Sequence, residues 1–122
     1  MTPFGLRLRE LRRDKGVTQK QMAAALGVSA AYLSALEQGR RGKPGWDFVQ
    51  RVIAYFNVIW DDADELRRLA RVSHPRVVVD TAGLCPEATL FANLVAEKIA
   101  TIAREDVAAL IHELELRARP RK

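Results

Sequence analysis

A chain of 122 residues with 48% hydrophobic and 29% charged residues has ordinary globular composition, enough for one domain or a small domain with an appendage. No apolar run approaches the roughly 20 residues that span a bilayer, and the first residues lack the apolar core of a secretory signal. A single cysteine permits no internal disulfide, so the expected compartment is the cytoplasm and a membrane is not an expected partner.

The net charge of +5 is unevenly placed. Residues 1–58 carry ten Lys or Arg against four acids, whereas residues 59–122 carry ten against eleven. A basic first half joined to a near-neutral second half points to nucleic acid for the former and an attached module in the latter, although a solvated basic face gives the same counts.

In chain order, the apolar residues recur at helical spacing almost throughout. Phe4, Leu8 and Leu11 mark a first helix, with Pro3 at its start and Gly16 where a left-handed C-terminal cap belongs. Thr18 is the N-cap of a second, whose Met22, Ala23 and Leu26 face inward and which Gly27 ends. Ser29 caps a short third helix through Leu33 and Leu36, stopped at Gly39, and the basic loop Arg40-Arg41-Gly42-Lys43-Pro44-Gly45 follows. Val49, Val52, Ile53 and Phe56 line a fourth helix, with Trp46 and Trp60 expected to pack in or at the edge of the core around it. Asp61 or Asp62 is the expected cap of a fifth helix carrying Leu66, Leu69 and Ala70. His74-Pro75 breaks the helical pattern, and Val77-Val78-Val79 favours an extended chain. Helix restarts at Pro86 with Cys85 as N-cap; Phe91, Leu94, Val95, Ile99 and Ile102 form one stripe, Val107, Leu110, Ile111 and Leu114 another. Arg117 to Lys122 is a basic tail.

The run from Gln19 to Leu36 carries the chemistry. Two helices joined by a tight turn need a small residue where their backbones approach and apolar residues where they share a core. Ala23 is that small residue, Gly27 supplies the positive φ of the turn, Val28 plugs it, and Met22, Leu26, Leu33 and Leu36 fill the inner faces. Gly16-Val17-Thr18-Gln19, Met22-Ala23, Leu26-Gly27-Val28-Ser29, Tyr32-Leu33-Ser34 and Leu36-Glu37-Gln38-Gly39-Arg40 resemble, almost position for position, the signature of the lambda repressor, Cro and xenobiotic-response-element group of bacterial and phage regulators. The resemblance covers residues 4 to about 60.

It implies a repressor-type helix-turn-helix domain whose third helix enters the major groove of double-stranded DNA. Ser29, Ala30, Ala31, Tyr32 and Ser34 are then the residues facing the bases, a set poor in hydrogen-bond donors. The methyls of Ala30 and Ala31 can meet thymine methyls; Tyr32 and Ser34 can reach a base edge or a phosphate, and packing on the domain surface suits Tyr32 equally. Gln19, at the start of the second helix, and Arg40, Arg41 and Lys43 in the loop are the expected backbone contacts. The resemblance also implies a partly buried Arg12–Glu37 ion pair tying the first helix to the third.

Residues 84–118 form two amphipathic helices too short to close a core alone. They are assigned to dimerisation, the alternative being that they complete a monomeric core. The expected organisation is therefore all-α: residues 1–73 a five-helix DNA-binding domain, 74–83 an extended linker, and 84–122 a two-helix module. The expected function is a sequence-specific transcriptional regulator, a dimeric repressor at a palindromic operator. An antitoxin-like regulator whose C-terminal helices bind a partner protein is the alternative. His74 and His112 stand apart from other ligands, and no nucleophile–base set or phosphate-cradling loop is present, so neither metal, cofactor nor enzymatic activity is expected. Ala82-Gly83 resembles the cleavage dipeptide of self-cleaving repressors, but the β-rich domain with a Ser/Lys pair that such cleavage needs has no counterpart here.

Overall fold

The computed structural model describes residues 1–41 and 44–119. Their regular structure is helical, with no strand among the described residues. The elements are α1 (Pro3–Lys15), α2 (Gln19–Leu26), α3 (Ala30–Glu37), α4 (Trp46–Tyr55), α5 (Trp60–Arg71), α6 (Pro86–Lys98) and α7 (Arg104–Arg117), with a 3-10 turn at Ile99–Thr101. They fall into two compact units, Met1–Val77 and Val78–Lys122.

Local chemistry sets the helix ends of the first unit. Thr2 accepts from the Gly5 N–H at 3.0 Å, with Pro3 opening α1. Thr18 accepts from the Gln21 N–H at 3.0 Å while the Gln21 side chain accepts from the Thr18 N–H at 2.9 Å, so a reciprocal capping box starts α2. Gly16 and Gly27 adopt φ of +74° and +72° and close α1 and α2 with left-handed caps. α5 departs from expectation. It begins at Trp60 after an Ile59 N-cap that gives no side-chain hydrogen bond, and Asp61 and Asp62 lie inside its first turn. There the two carboxylates complement the positive end of the helix dipole instead of capping it.

The apolar faces meet in one core. Phe4 and Leu8 of α1, Met22 and Leu26 of α2, Leu33 and Leu36 of α3, Phe48, Val49 and Val52 of α4, and Leu66 and Ala70 of α5 are all buried. Each large apolar side chain so buried contributes about 1.5–3 kcal/mol over its exposed state. Ser73 closes the unit, its hydroxyl oxygen accepting from the Phe4 N–H at 2.8 Å and so joining the two ends of the unit. Neither tryptophan enters this core: Trp46 keeps to its edge, one of the two expected placements, whereas Trp60 takes up neither. Trp46 is 68% exposed and Trp60, at φ +53°, is 83% exposed. Trp46 only edges a shallow groove with Val49, Arg67 and Ala70, because α4 turns Phe48, Val49 and Val52 inward instead.

Gly5 sets the approach of α1 to α3. A Cβ there would stand 2.3 Å from the Leu36 carbonyl oxygen, a backbone atom of the facing helix. Alanine is intrinsically better than glycine in a helix by about 1 kcal/mol, but forcing the helices apart outweighs that gain. Gly5→Ala is expected to lose about 2 kcal/mol net, the usual range for overpacking being about 1–3 kcal/mol. The thermal midpoint should fall by roughly 10 °C; an unchanged or raised midpoint would show that the two backbones can yield.

In the second unit, α6 and α7 bury no residue of their own. The first stripe is broken where continuous helix was expected. α6 ends at Lys98, Ile99–Thr101 forms a 3-10 turn in which the Thr101 hydroxyl donates to the Lys98 carbonyl at 2.7 Å, and Ile102 is extended. Phe91, Val95 and Ile99 nevertheless line one apolar groove of about 400 Å³ with Val107, Leu110, Ile111 and Leu114. The groove is open, and Phe91, Ile99, Leu110, Ile111 and Leu114 are each more than half exposed.

Candidate nucleic-acid interface

The interface is assembled on α3, whose inner face is anchored by Leu33 and Leu36. The Ser29 hydroxyl accepts from the Tyr32 N–H at 3.0 Å and starts the helix there. That places Ser29, Ala30 and Ala31 on the exposed first turn, and Ser34 and Ala35 half-buried one turn on. The two alanine methyls therefore stand free on the outer face, as the motif requires of groove-facing residues.

Tyr32 is held from two sides. Its ring meets Phe48 of α4 edge-on, centroids 5.7 Å apart, and the Arg41 guanidinium lies 5.5 Å from the ring centroid. The phenol is thus partly a packing residue, and it also fixes a loop cation against the recognition helix. Beyond Gly39, at φ +75°, the Arg40 and Arg41 N–H groups both approach the Ala35 carbonyl, at 2.9 and 3.4 Å. This folds the start of the basic loop back over the end of α3 and leaves Arg40 and Arg41 exposed. Lys43, expected beside them, lies outside the described residues.

Gln19 occupies the first position of α2, but its amide turns inward and donates to Glu37 Oε1 at 3.1 Å. The side-chain amide expected to meet a phosphate there is thus engaged within the protein, by the carboxylate of α3. Glu37, only 2% exposed, also accepts from Arg12 Nε at 2.8 Å and Nη2 at 3.1 Å. The pair implied by the resemblance is present, bidentate, and extended by Gln19 to all three helices of the motif.

One polar residue escaped the sequence reading. Gln38 is exposed at the end of α3, and its amide donates to the Ser34 hydroxyl at 3.3 Å. Its i, i+4 spacing from Ser34 was the signal, masked because the residue falls at the helix terminus. Its amide adds a donor and an acceptor to a face otherwise short of both. Among the described residues no group of three or more His, Cys, Asp or Glu is arranged to hold a metal ion, and no helix is long and apolar enough to cross a membrane.

Comparison with known proteins agrees with this geometry. The pattern that defines the helix-turn-helix domain family matches residues 3–69. The chain is 39% identical over 62 residues to the uncharacterized HTH-type transcriptional regulator RghRB of Bacillus subtilis, covering 51% of this chain and 45% of that protein. It is 48% identical over 44 residues to the HTH-type transcriptional repressor RghR of the same organism, covering 36% and 33%. With the HTH-type transcriptional regulator DdrOP3 of Deinococcus deserti it shares 31% identity over 99 residues, 80% of this chain and 76% of that one. The match thus spans less than half of the first two relatives' length and about three quarters of the third's. No solved structure matches at comparable stringency.

Proposed function

This chain belongs to the helix-turn-helix family of transcriptional regulators, and from that premise we propose that it is a cytoplasmic, sequence-specific repressor that binds a palindromic operator as a homodimer. The carrying observation is α3 and the loop after it: the Ala30 and Ala31 methyls are exposed on the first turn of a capped helix, Arg41 lies over the ring of Tyr32 on the same helix, and Arg40 and Arg41 are exposed. The short supply of donors on the exposed face of α3 favours thymine-methyl contacts and readout of DNA shape over bidentate hydrogen bonding. The repressor sense is supported by the name of one relative, RghR. Dimerisation is supported by the apolar groove that α6 and α7 leave uncovered. Neither catalysis nor a cofactor is part of the proposal.

Titration of DNA duplexes at several salt concentrations tests it. The wild-type chain should protect two half-sites centred about one helical turn, roughly 34–36 Å, apart. Replacing Arg40 and Arg41 with Ala should weaken binding to specific and scrambled duplexes alike. It should also flatten the slope of log K against log salt by about 0.9 for each phosphate that is no longer neutralised. An unchanged slope would remove the loop from the interface. Equal affinity of the wild type for every duplex would overturn sequence-specific binding.

A further inference from the structure

Residues 76–80 read Arg-Val-Val-Val-Asp. Val77, Val78 and Val79 are 71%, 94% and 64% exposed. From Val77 to Asp80 the chain forms neither helix nor turn, and among the described residues none of its backbone N–H or C=O groups is in a backbone hydrogen bond. The side-chain hydrogen bond of this stretch is local, Asp80 Oδ1 accepting from the Ala82 N–H at 2.9 Å, and it does not engage Oδ2.

Three successive β-branched residues favour a strand, because their stiff side chains fit a pleated surface. An uncovered strand of this kind is a template for pairing, and chains that must avoid pairing interrupt it with an internal charge or proline. Here the charges stand only at the two ends, and they are opposite in sign. That arrangement complements itself. When two copies run antiparallel with Val78 on the two-fold axis, Arg76 of each faces Asp80 of the other, Val77 faces Val79, and Val78 faces Val78. Parallel pairing would instead set Arg76 beside Arg76 and Asp80 beside Asp80, and a one-residue slip would place both charges opposite valine or outside the pairing.

We propose that Arg76–Asp80 pairs with the same segment of a second copy as a two-stranded antiparallel ribbon centred on Val78. The inference rests on the homodimer reading above, since a ribbon this short is marginal by itself and needs the helical modules to hold the copies together. What the ribbon adds is register: it sets which residues of the two chains face each other ahead of α6.

Cysteine scanning of the full chain tests the ribbon separately from the dimer. Cys85 is the only thiol, and as the N-cap of α6 it makes no side-chain hydrogen bond, so Cys85→Ser provides a silent background. Val77→Cys, Val78→Cys and Val79→Cys are then made singly, sedimented, and oxidised mildly. Directly opposed residues in an antiparallel pair have Cα atoms about 4.5–5.5 Å apart, within disulfide range. Only Val78→Cys meets itself across the axis, so it should form covalent dimer at least about tenfold faster than either neighbour, although all three positions are exposed. Mixed Val77→Cys and Val79→Cys chains should cross-link with each other.

Charge exchange gives a second readout. Arg76→Asp and Asp80→Arg should each raise the dimer dissociation constant roughly tenfold, because two attractive cross-strand pairs become two like-charge pairs. The double exchange should return it to the parent value. A dimer in which the three cysteines cross-link equally, or not at all, overturns the ribbon and leaves the helical dimer standing, as does a double exchange that restores nothing. A Cys85→Ser chain that sediments as a monomer at micromolar concentration overturns the dimer, and the ribbon with it.

Discussion

Glu37→Ala is expected to cost the N-terminal unit about 3–5 kcal/mol, the range for breaking a buried ion pair by removing one partner. The loss arises less from the attraction removed than from the charge left behind. Arg12 is 17% exposed along its side chain, and without Glu37 its remaining partner among the described residues is the Val17 carbonyl, 3.3 Å from Nη1. Gln19 loses its acceptor in the same step. For a unit of this size the thermal midpoint should fall by about 12–40 °C, at roughly 4–8 °C per kcal/mol. Replacing both partners with apolar residues of similar volume, Arg12→Met with Glu37→Leu, should recover most of that loss, because no charge is then stranded. Denaturant unfolding of the full chain measures both variants. A single variant within about 1 kcal/mol of the wild type would mean that the pair is no more than an exposed surface interaction.

A chain ending at Val77 should fold, sediment as a monomer, and bind a two-half-site operator about 10²–10⁴-fold more weakly, the range by which linking two binding modules raises affinity. It should fold because the buried residues of α1 to α5 all lie before that point, and because Ser73, which accepts from the Phe4 N–H, is retained. It should be monomeric because the groove between Phe91 and Leu114 is gone. Affinity for a single half-site should barely change, since Ala30, Ala31, Arg40 and Arg41 are untouched. Sedimentation paired with titration of one-site and two-site duplexes separates these effects. If the shortened chain still dimerises at micromolar concentration, or binds the full operator within tenfold of the intact protein, the dimer interface lies in the first unit.

The recognition motif was legible in the sequence because its signals are local. Whether Gly16 and Gly27 can adopt positive φ, whether Thr18 and Ser29 can cap, and whether Pro86 can open a helix depend on a few neighbours along the chain, and each does so in the structure. The apolar periodicity of α1 to α5 is local in the same sense, and it named Phe4, Leu8, Met22, Leu26, Leu33, Leu36, Val49, Val52 and Leu66, all of which are buried. Arg12 and Glu37 were legible only through the family resemblance, because nothing within either helix relates two residues 25 positions apart.

What tertiary structure alone decided is which side of each element meets another. Phe48 enters the core and takes the edge of Tyr32, while Trp46, two residues earlier, stays outside. Their aromatic character is the same; the rotation of α4 against α2 and α5 separates them. The Gln19 amide points to Glu37 because α3 brings a buried carboxylate within 3.1 Å, an arrangement invisible from the first turn of α2. Gly5 reads as a poor helix residue until the Leu36 carbonyl appears where its Cβ would be. Capping and chain reversal depend on torsions and hydrogen bonds within a turn or two, so sequence specifies them directly. Burial, close approach and the pairing of distant charges depend on the relative placement of whole helices, and that placement emerges only when all of their faces are packed at once.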